Sequence, residues 1–230
     1  MTEALLQIDG LRYAWPGETR PVLDGLSLRI EPGERVFLAG SSGAGKSTLL
    51  ALIGGLAAPD AGSIRFAGTD LGDLGRAARD RFRADHLGVI FQQFNLLPWL
   101  TSLANVRLGC QFSKTRRTRA GDLDAAGRRL LGAMDLPEAL FERRAGTLSV
   151  GQQQRVAAAR ALIGEPDLVL ADEPTSALDV DRRDAFVRLL FEQAATAGSA
   201  VLFVSHDRDL SRRFDRTLEL DQLHAAGVSA

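Results

Sequence analysis

The chain has few of the features that anchor a protein in a membrane, crosslink it or hold it on a polyanion. Its 230 residues include one cysteine, Cys110, which excludes an internal disulfide framework. The formal net charge of -1 provides no overall field for nucleic acid or an anionic membrane surface. No run approaches the roughly 18 consecutive apolar residues of a spanning helix, and the N-terminal residues do not resemble a signal peptide. We therefore expect a cytoplasmic protein, and any action at a membrane requires a separate spanning partner.

The remaining composition, with 45% hydrophobic and 25% charged residues, is that of an ordinary globular chain long enough for one domain. Residues 5–30 alternate apolar and polar side chains and are interrupted by Pro16-Gly17, which predicts an antiparallel β region. Short apolar runs that predict buried strands lie at 35–39, 168–171 and 200–204. The pattern therefore favours an α/β fold with a mainly parallel sheet.

Between these runs, residues 94–165 are rich in Leu, Ala and Arg with helical spacing, which predicts an inserted helical subdomain. We expect the core of the single domain to consist of residues 1–93 and 166–230. Ligands of open α/β sheets bind at the carboxyl ends of the strands. The polar residues that follow the apolar runs are therefore candidate site residues.

A glycine-rich segment that fits the phosphate-loop pattern G-x-x-x-x-G-K-[ST] follows the apolar run at 35–39, and an apolar helix is predicted from Ser47 to Leu56. Its residues are Gly40, Ser41, Ser42, Gly43, Ala44, Gly45, Lys46, Ser47 and Thr48. Glycines allow backbone N–H groups to surround phosphates, and the helix N-terminus adds partial positive charge. We expect Lys46, one of two lysines in the chain, to contact the β- and γ-phosphates and Ser47 to reach Mg²⁺. The segment predicts the core of a P-loop NTPase.

Two adjacent carboxylates, Asp172 and Glu173, end the apolar run at 168–171. In a P-loop enzyme Asp172 is expected to orient Mg²⁺, and Glu173 to accept the proton of the attacking water. His206 ends the run at 200–204, where an imidazole can bond the γ-phosphate or the water. The other histidines, His86 and His224, are expected to be structural.

The segment at 148–152, Leu-Ser-Val-Gly-Gln, lies between the phosphate loop and the Asp172-Glu173 pair. With this segment the sequence resembles the ABC ATPase family. The resemblance covers nearly the whole chain, with motifs in family order. These are the phosphate loop, Gln92, the signature segment 148–152, the Asp172-Glu173 pair, the D-loop at 176–179 and His206 as the switch histidine.

The resemblance implies that two copies of the chain, or a copy and a close relative, sandwich ATP between them. Ser149, Gly151 and Gln152 at the start of a helix would face the γ-phosphate held by the second ATP-binding subunit. Asp179 would tune the interface between the subunits. Homodimerisation and ATP hydrolysis with Mg²⁺ are therefore expected.

Two further roles are implied by the family. Gln92 would sense the γ-phosphate and Mg²⁺ and link them to the helical subdomain, whose surface would receive an integral membrane permease. Trp15 matches the aromatic position that stacks on adenine, and Tyr13 is the alternative stacker. The chain is then expected to be peripheral on the cytoplasmic face of the inner membrane.

One residue departs from the family pattern, because Val150 occupies the position of the usual second signature glycine. Valine does not adopt positive φ cheaply, and its methyl groups would approach the sandwiched phosphates. With negative φ the change would be harmless. We therefore expect a functional but retuned site.

The segment from Gln92 to Pro98 and the run from Gly151 to Ala157 resemble a branch that includes lipoprotein-release, macrolide-export and cell-division ATPases. The alternatives are a soluble ABC ATPase acting on a protein assembly, such as an iron–sulfur scaffold, and the ATPase subunit of an importer. The basic run at 114–119 lacks interleaved aromatic residues, so a solvated face is favoured over a nucleic-acid patch, and no nucleic-acid partner is expected.

Overall fold

A computed structural model of the protein describes residues 3–41, 43–176 and 178–223. Ser42, Ala177 and His224 lie outside these ranges. The fold is the predicted α/β architecture, with one antiparallel and one parallel sheet. Among the described residues, no helix has the combined length and hydropathy needed to cross a bilayer.

The strands form two sheets whose burial follows their sequence patterns. Their bounds are β1 (Leu6–Tyr13), β2 (Leu23–Ile30), β3 (Arg35–Ala39), β4 (Ala61–Phe66), β5 (Thr69–Asp70), β6 (Leu87–Ile90), β7 (Leu168–Asp172), β8 (Ala200–Val204) and β9 (Arg216–Glu219). The antiparallel sheet has the order β2-β1-β4-β5, and the parallel sheet has the order β6-β7-β8-β3-β9. In β2 buried and exposed residues largely alternate, whereas every residue of β8 is buried. The continuous apolar runs therefore mark strands covered on both faces.

The helices lie mainly between β6 and β7 and after β7. Their bounds are α1 (Lys46–Ile53), α2 (Arg76–His86), α3 (Ser102–Arg107), α4 (Lys114–Ala120), α5 (Leu123–Ala133), α6 (Val150–Leu162), α7 (Val180–Ala197) and α8 (Leu220–Leu223). Helix α1 ends three residues before the predicted Leu56, because Gly54 caps it and Gly55 follows with a φ of 64°.

The segment predicted to be a helical subdomain contains α3 to α6. Its apolar side chains share one buried cluster with the parallel sheet, in which Val106 and Val156 belong to the same core as Val169. Division of the domain at residues 94 and 165 therefore stays a prediction. What the packing establishes is that α6 lies directly against the sheet strand β6.

The basic run at 114–119 lies in helix α4 and is exposed as expected for a solvated face, with Arg116 as the one buried residue of the run. Arg116 is only 3% exposed, and its guanidinium donates hydrogen bonds to the carbonyls of Leu87 and Ile163. Burial lowers its pKa to about 10. The sequence did not single out Arg116, because spacing does not reveal that main-chain carbonyls at the ends of β6 and α6 can satisfy a buried guanidinium.

Candidate functional site

The phosphate loop connects the end of β3 to the start of α1 and has the backbone shape that the glycine pattern predicts. Gly43 and Gly45 have φ of 81° and 97°, which favour glycine. A Cβ at Gly45 would also lie 2.8 Å from a Val22 methyl carbon. The ammonium of Lys46 donates to the carbonyls of Gly40 at 2.8 Å and Ser41 at 2.9 Å, so it lies within the loop it serves.

A cavity of about 720 Å³ lies away from this loop, between α2, α4 and α6. The phosphate loop opens instead onto a cavity of about 530 Å³, a volume suited to a small organic ligand. Its lining residues are Trp15, Val22, Gly43, Gly45, Lys46, Ser47, Thr48, Gln92, Asp172, Glu173 and His206. Strand order β7-β8-β3 explains this convergence, because the carboxyl ends of neighbouring parallel strands meet at one edge.

Asp172 and Ser47 connect the two sides of this cavity. The Ser47 hydroxyl donates to Asp172 Oδ2 at 3.1 Å. Burial raises the pKa of Asp172, and adjacent Glu173 raises it further, while the Ser47 hydrogen bond and Lys46 act in the opposite direction. The carboxylate is thus desolvated and close to a hydroxyl, an oxygen pair that suits a hard divalent cation.

Glu173 has an unusual backbone and an unsatisfied side chain. Its φ is 45°, an uncommon value for a residue other than glycine. Among the described residues its buried Oε2 has no hydrogen-bond partner. His206 Nδ1 lies 3.0 Å from that oxygen, an ion-pair distance without hydrogen-bond alignment. A buried carboxylate oxygen with a free lone pair, facing a cavity, is arranged to accept a proton or a water.

Trp15 forms one wall of the cavity just beyond the end of β1. Its side chain is 44% exposed, and its indole N–H donates to Thr48 Oγ1 at 3.3 Å. Tyr13 packs edge-to-face against it, with ring centroids 5.2 Å apart. Tyr13 itself is 6% exposed and is not among the described residues that line the cavity, which favours Trp15 over Tyr13 as the stacking residue.

The signature residues lie in a different place. Ser149 caps the N-terminus of α6, accepting from the amide of Gln152 at 3.4 Å, while the Ser149 amide donates to Gln152 Oε1 at 3.0 Å. Ser149, Gly151 and Gln152 line a cavity of about 400 Å³. Among the described residues this cavity and the phosphate-loop cavity share no lining residue. One chain therefore carries two separate halves of the predicted site.

Val150 is the first residue of α6, so its backbone is helical and its φ is negative. Its side chain is 49% exposed. The strained positive φ considered from the sequence does not arise. Substituting valine for the usual glycine here adds exposed apolar surface without backbone strain.

Asp179 caps the N-terminus of α7, where its Oδ1 accepts from the Arg182 amide at 3.0 Å. Leu178, one residue earlier, lines the signature cavity and is the nearest side chain to the space beside Gly151, at 3.8 Å. The structure thus brings Asp179 near the signature half and away from the residues of the phosphate-loop cavity.

Sequence reasoning missed one neighbour of the phosphate loop. Asp221 in α8 accepts from the Ser41 amide at 3.3 Å and from the Ser41 hydroxyl at 3.4 Å. The residues are 180 positions apart, and no local pattern marks the aspartate.

The model of the family described as ABC transporter matches residues 23–176 of this chain. The chain belongs to the ABC transporter family. Within it, the chain is 41% identical over 219 residues to the lipoprotein-releasing system ATP-binding protein LolD of Pseudomonas fluorescens, covering 95% of each chain. It is 40% identical over 222 residues to LolD of Chromohalobacter salexigens, covering 96% of this chain and 92% of the relative. The predicted family is therefore confirmed, and these relatives favour the predicted branch over the soluble and importer alternatives.

A solved ABC structure has the same fold. The dimeric post-hydrolysis state of the ATP-binding cassette MJ0796, bound to ADP and Pi, superposes with a TM-score of 0.82 at 35% identity, covering 93% of each chain. The predicted P-loop fold is confirmed by this likeness. The chain is an ATP-binding, ATP-hydrolysing ABC transporter subunit, as predicted from its motifs.

Proposed function

We propose that two copies of this chain close head to tail around ATP and drive a membrane permease of a lipoprotein-release type system. The observation that carries the proposal is the division of the site, with the phosphate loop and the signature segment lining separate cavities of one chain. The relatives are named for lipoprotein release, and the solved cassette is dimeric. A homodimer peripheral to the inner membrane would assemble two complete sites.

In the first half-site, the chain's own groups hold the triphosphate. Lys46 would exchange its loop carbonyls for β- and γ-phosphate oxygens, a stronger charge-assisted interaction. Backbone amides of the phosphate loop and the N-terminus of α1 would supply further donors. Trp15, half exposed at the rim, presents the ring on which adenine would stack.

The residues that would hold Mg²⁺ are Ser47, Asp172 and Gln92. They line one cavity, and the hydroxyl and carboxylate are already 3.1 Å apart. In phosphate sites Mg²⁺ commonly takes one or two carboxylates together with phosphate oxygens, which this donor set fits. When bound, the ion would neutralise phosphate charge. It would also stabilise the ionised form of Asp172, whose carboxylate is desolvated by burial.

Glu173 is the proposed general base. Its Oε2, which accepts no hydrogen bond from the described residues, can accept the proton of a water aligned with the γ-phosphate. His206, whose side chain is 71% exposed and lies 3.0 Å from Glu173, would orient that water or donate to the γ-phosphate. Both residues are placed by the adjacent strands β7 and β8.

The second half-site would complete the first across the dimer. The Ser149 oxygen accepts within the helix cap, which leaves its O–H proton available for a phosphate oxygen. The backbone amides at the start of α6, including that of Gly151, add the partial positive charge of the helix dipole to this surface. Asp179 and Leu178 lie beside this surface, which suits a role at the interface.

The permease is proposed to dock on the groove of about 720 Å³ between α2, α4 and α6. Phe112 and Phe91 offer 84% and 39% exposed side chains there, and Arg81 and Arg83 line the same wall. Apolar and cationic groups together fit a short amphipathic cytoplasmic helix. Phe91 lines this groove, and the next residue, Gln92, lines the nucleotide cavity.

The decisive experiment is Glu173→Gln, which keeps the pocket and removes the base. We expect ATP turnover to fall by roughly 10²- to 10⁴-fold, while ATP with Mg²⁺ accumulates a dimer in size-exclusion chromatography with light scattering. Glu165→Gln is the matched control, because Glu165 is also a positive-φ glutamate but is exposed and outside the cavity. Monomeric elution of Glu173→Gln with ATP would contradict the proposed dimer.

A further inference from the structure

The loop after Gln92 contains two consecutive residues with left-handed backbones. Phe94 has a φ of 58° and Asn95 a φ of 47°, although neither is glycine. The Phe94 amide donates to the Phe91 carbonyl at 2.9 Å, and the Asn95 amide donates to the Gln93 carbonyl at 2.6 Å. Such backbone shapes persist only where their surroundings hold them. The turn around Gln92 therefore needs an external clamp.

Arg160 supplies that clamp from helix α6. Its Nη1 donates to the Asn95 carbonyl at 2.6 Å, and its Nη2 donates to the Phe94 carbonyl at 2.5 Å. The planar guanidinium can serve two neighbouring acceptors at once, which a lysine ammonium on a flexible stem does less well. Burial lowers the pKa of Arg160. The residue thus accepts a desolvation cost while bridging both strained residues.

The clamp joins three functional regions. Arg160 lies on the helix that Ser149 caps, about 16 Å of helix rise away. It also lines the groove between α2, α4 and α6. A second tether follows, because Asn105 is fully buried and its side chain exchanges two hydrogen bonds with the backbone of Leu97, at 2.8 and 3.0 Å. The loop is fixed to the helical layer at both points.

We propose that Arg160 is a positioning residue that holds the turn at 94–95 so that the Gln92 amide faces the metal side of the nucleotide cavity. The same contact makes the Gln92 loop move with the signature helix α6. The inference rests on the Mg²⁺ role proposed for Gln92. Each subunit would then join its own nucleotide sensor to the signature surface that it presents to its partner.

The test measures nucleotide affinity rather than turnover. Binding of the nonhydrolysable analogue AMP-PNP is followed by calorimetry with Mg²⁺ and with EDTA. For Arg160→Met we expect the affinity with Mg²⁺ to fall roughly tenfold, the lower range for loss of a residue supporting a metal ligand, and the affinity in EDTA to stay unchanged. Arg119→Met is the matched control, because Arg119 also donates to a backbone carbonyl, that of Glu165 at 2.6 Å, but lies outside the groove. An equal loss with and without Mg²⁺ would overturn the proposal.

A double-mutant cycle separates positioning from a general packing role. If Arg160 acts through Gln92, Gln92→Ala combined with Arg160→Met should bind no more weakly than Gln92→Ala alone. Additive losses would overturn the proposal. If Gln92→Ala itself leaves the Mg²⁺ dependence intact, the proposed metal role of Gln92 fails. If Gln92→Ala removes that dependence and Arg160→Met does not, only the clamp fails.

A conservative variant covers the case in which Arg160→Met does not fold, as judged by thermal melting. Arg160→Lys retains the charge and can serve one of the two carbonyls. We expect it to fold and to lose part of the Mg²⁺-dependent affinity, roughly threefold. The proposal would be contradicted if folded Arg160→Lys bound AMP-PNP with the Mg²⁺ dependence of the wild type and if its Phe94 and Asn95 amides exchanged hydrogen at wild-type rates.

Discussion

The two halves of the site differ in how much of their hydrogen bonding is satisfied within one chain. On the phosphate-loop side, Lys46 contacts two carbonyls and Ser47 contacts Asp172, so this half is already assembled. On the signature side, the hydrogen bonds found for Ser149 among the described residues are those of its own helix cap. Under the proposed function, the first half would bind nucleotide by itself. The second would act only when another subunit brings it a phosphate.

This difference separates affinity from assembly. Changes in the phosphate-loop half should alter nucleotide binding to a single chain. Changes in the signature half should leave that binding intact and alter the ATP-dependent dimer. The variants below test this separation in order of decreasing expected effect.

Lys46→Ala should weaken ATP binding to the monomer by roughly 10- to 100-fold, the equivalent of losing charged hydrogen bonds. Lys114→Ala is the matched control, because it removes the other lysine of the chain, an exposed residue at the start of α4. Fluorescence titration with a labelled ATP analogue measures both. Unchanged affinity in Lys46→Ala would show that the phosphate loop is not the phosphate site.

The residues of the phosphate-loop half could be predicted from the sequence, whereas the tertiary contacts that hold its loops could not. The glycine pattern, the Asp172-Glu173 pair and His206 each follow a short apolar run. The rule that ligands bind at the carboxyl ends of parallel strands therefore predicts that they lie together. The clamp by Arg160 joins residues 65 and 66 positions apart, and its acceptors are carbonyls that every residue has. Side-chain identity therefore gives no signal for it.

Burial of Arg116 within the otherwise solvated run at 114–119 gave no sequence signal for the same reason. Its guanidinium donates hydrogen bonds to the main-chain carbonyls of Leu87 and Ile163, which residue type does not reveal. Likewise the positive φ of Glu173 depends on the strand-to-turn geometry after β7 and not on residue type. Motifs predict the chemistry of the site, while the tertiary contacts that shape it require the fold.

Ser149→Ala should leave ATP affinity of the monomer unchanged and weaken the ATP-bound dimer roughly tenfold, because one hydroxyl donor to the partner's phosphate is lost. The same change removes a helix cap worth about 1 kcal/mol. Thr101→Ala is the matched control, since the Thr101 hydroxyl caps α3 by accepting from the amide three residues on.

Both variants should therefore melt at a lower temperature, but only Ser149→Ala should shift the dimerisation equilibrium measured by sedimentation with ATP, Mg²⁺ and the Glu173→Gln background. Equal dimerisation in the two variants would mean that Ser149 acts as a cap alone. The proposed site between two subunits would then lack the Ser149 hydroxyl as a donor to the γ-phosphate.

Val150→Gly should have the smallest effect, a change of less than about threefold in dimer affinity. The helical backbone at this position needs no glycine, so valine and glycine differ here only in helix propensity and in exposed apolar surface. The informative neighbour is Gly151, where an added Cβ would meet, among the residues that the structure describes, nothing closer than Leu178 at 3.8 Å. Gly151→Ala should therefore fold normally and lose dimerisation by more than Val150→Gly gains it, since only a partner's nucleotide would contact the new methyl group. Restoration of an absent activity by Val150→Gly would reverse this assignment, because it would make the valine disabling and place position 150, not 151, at the closest approach to the phosphate.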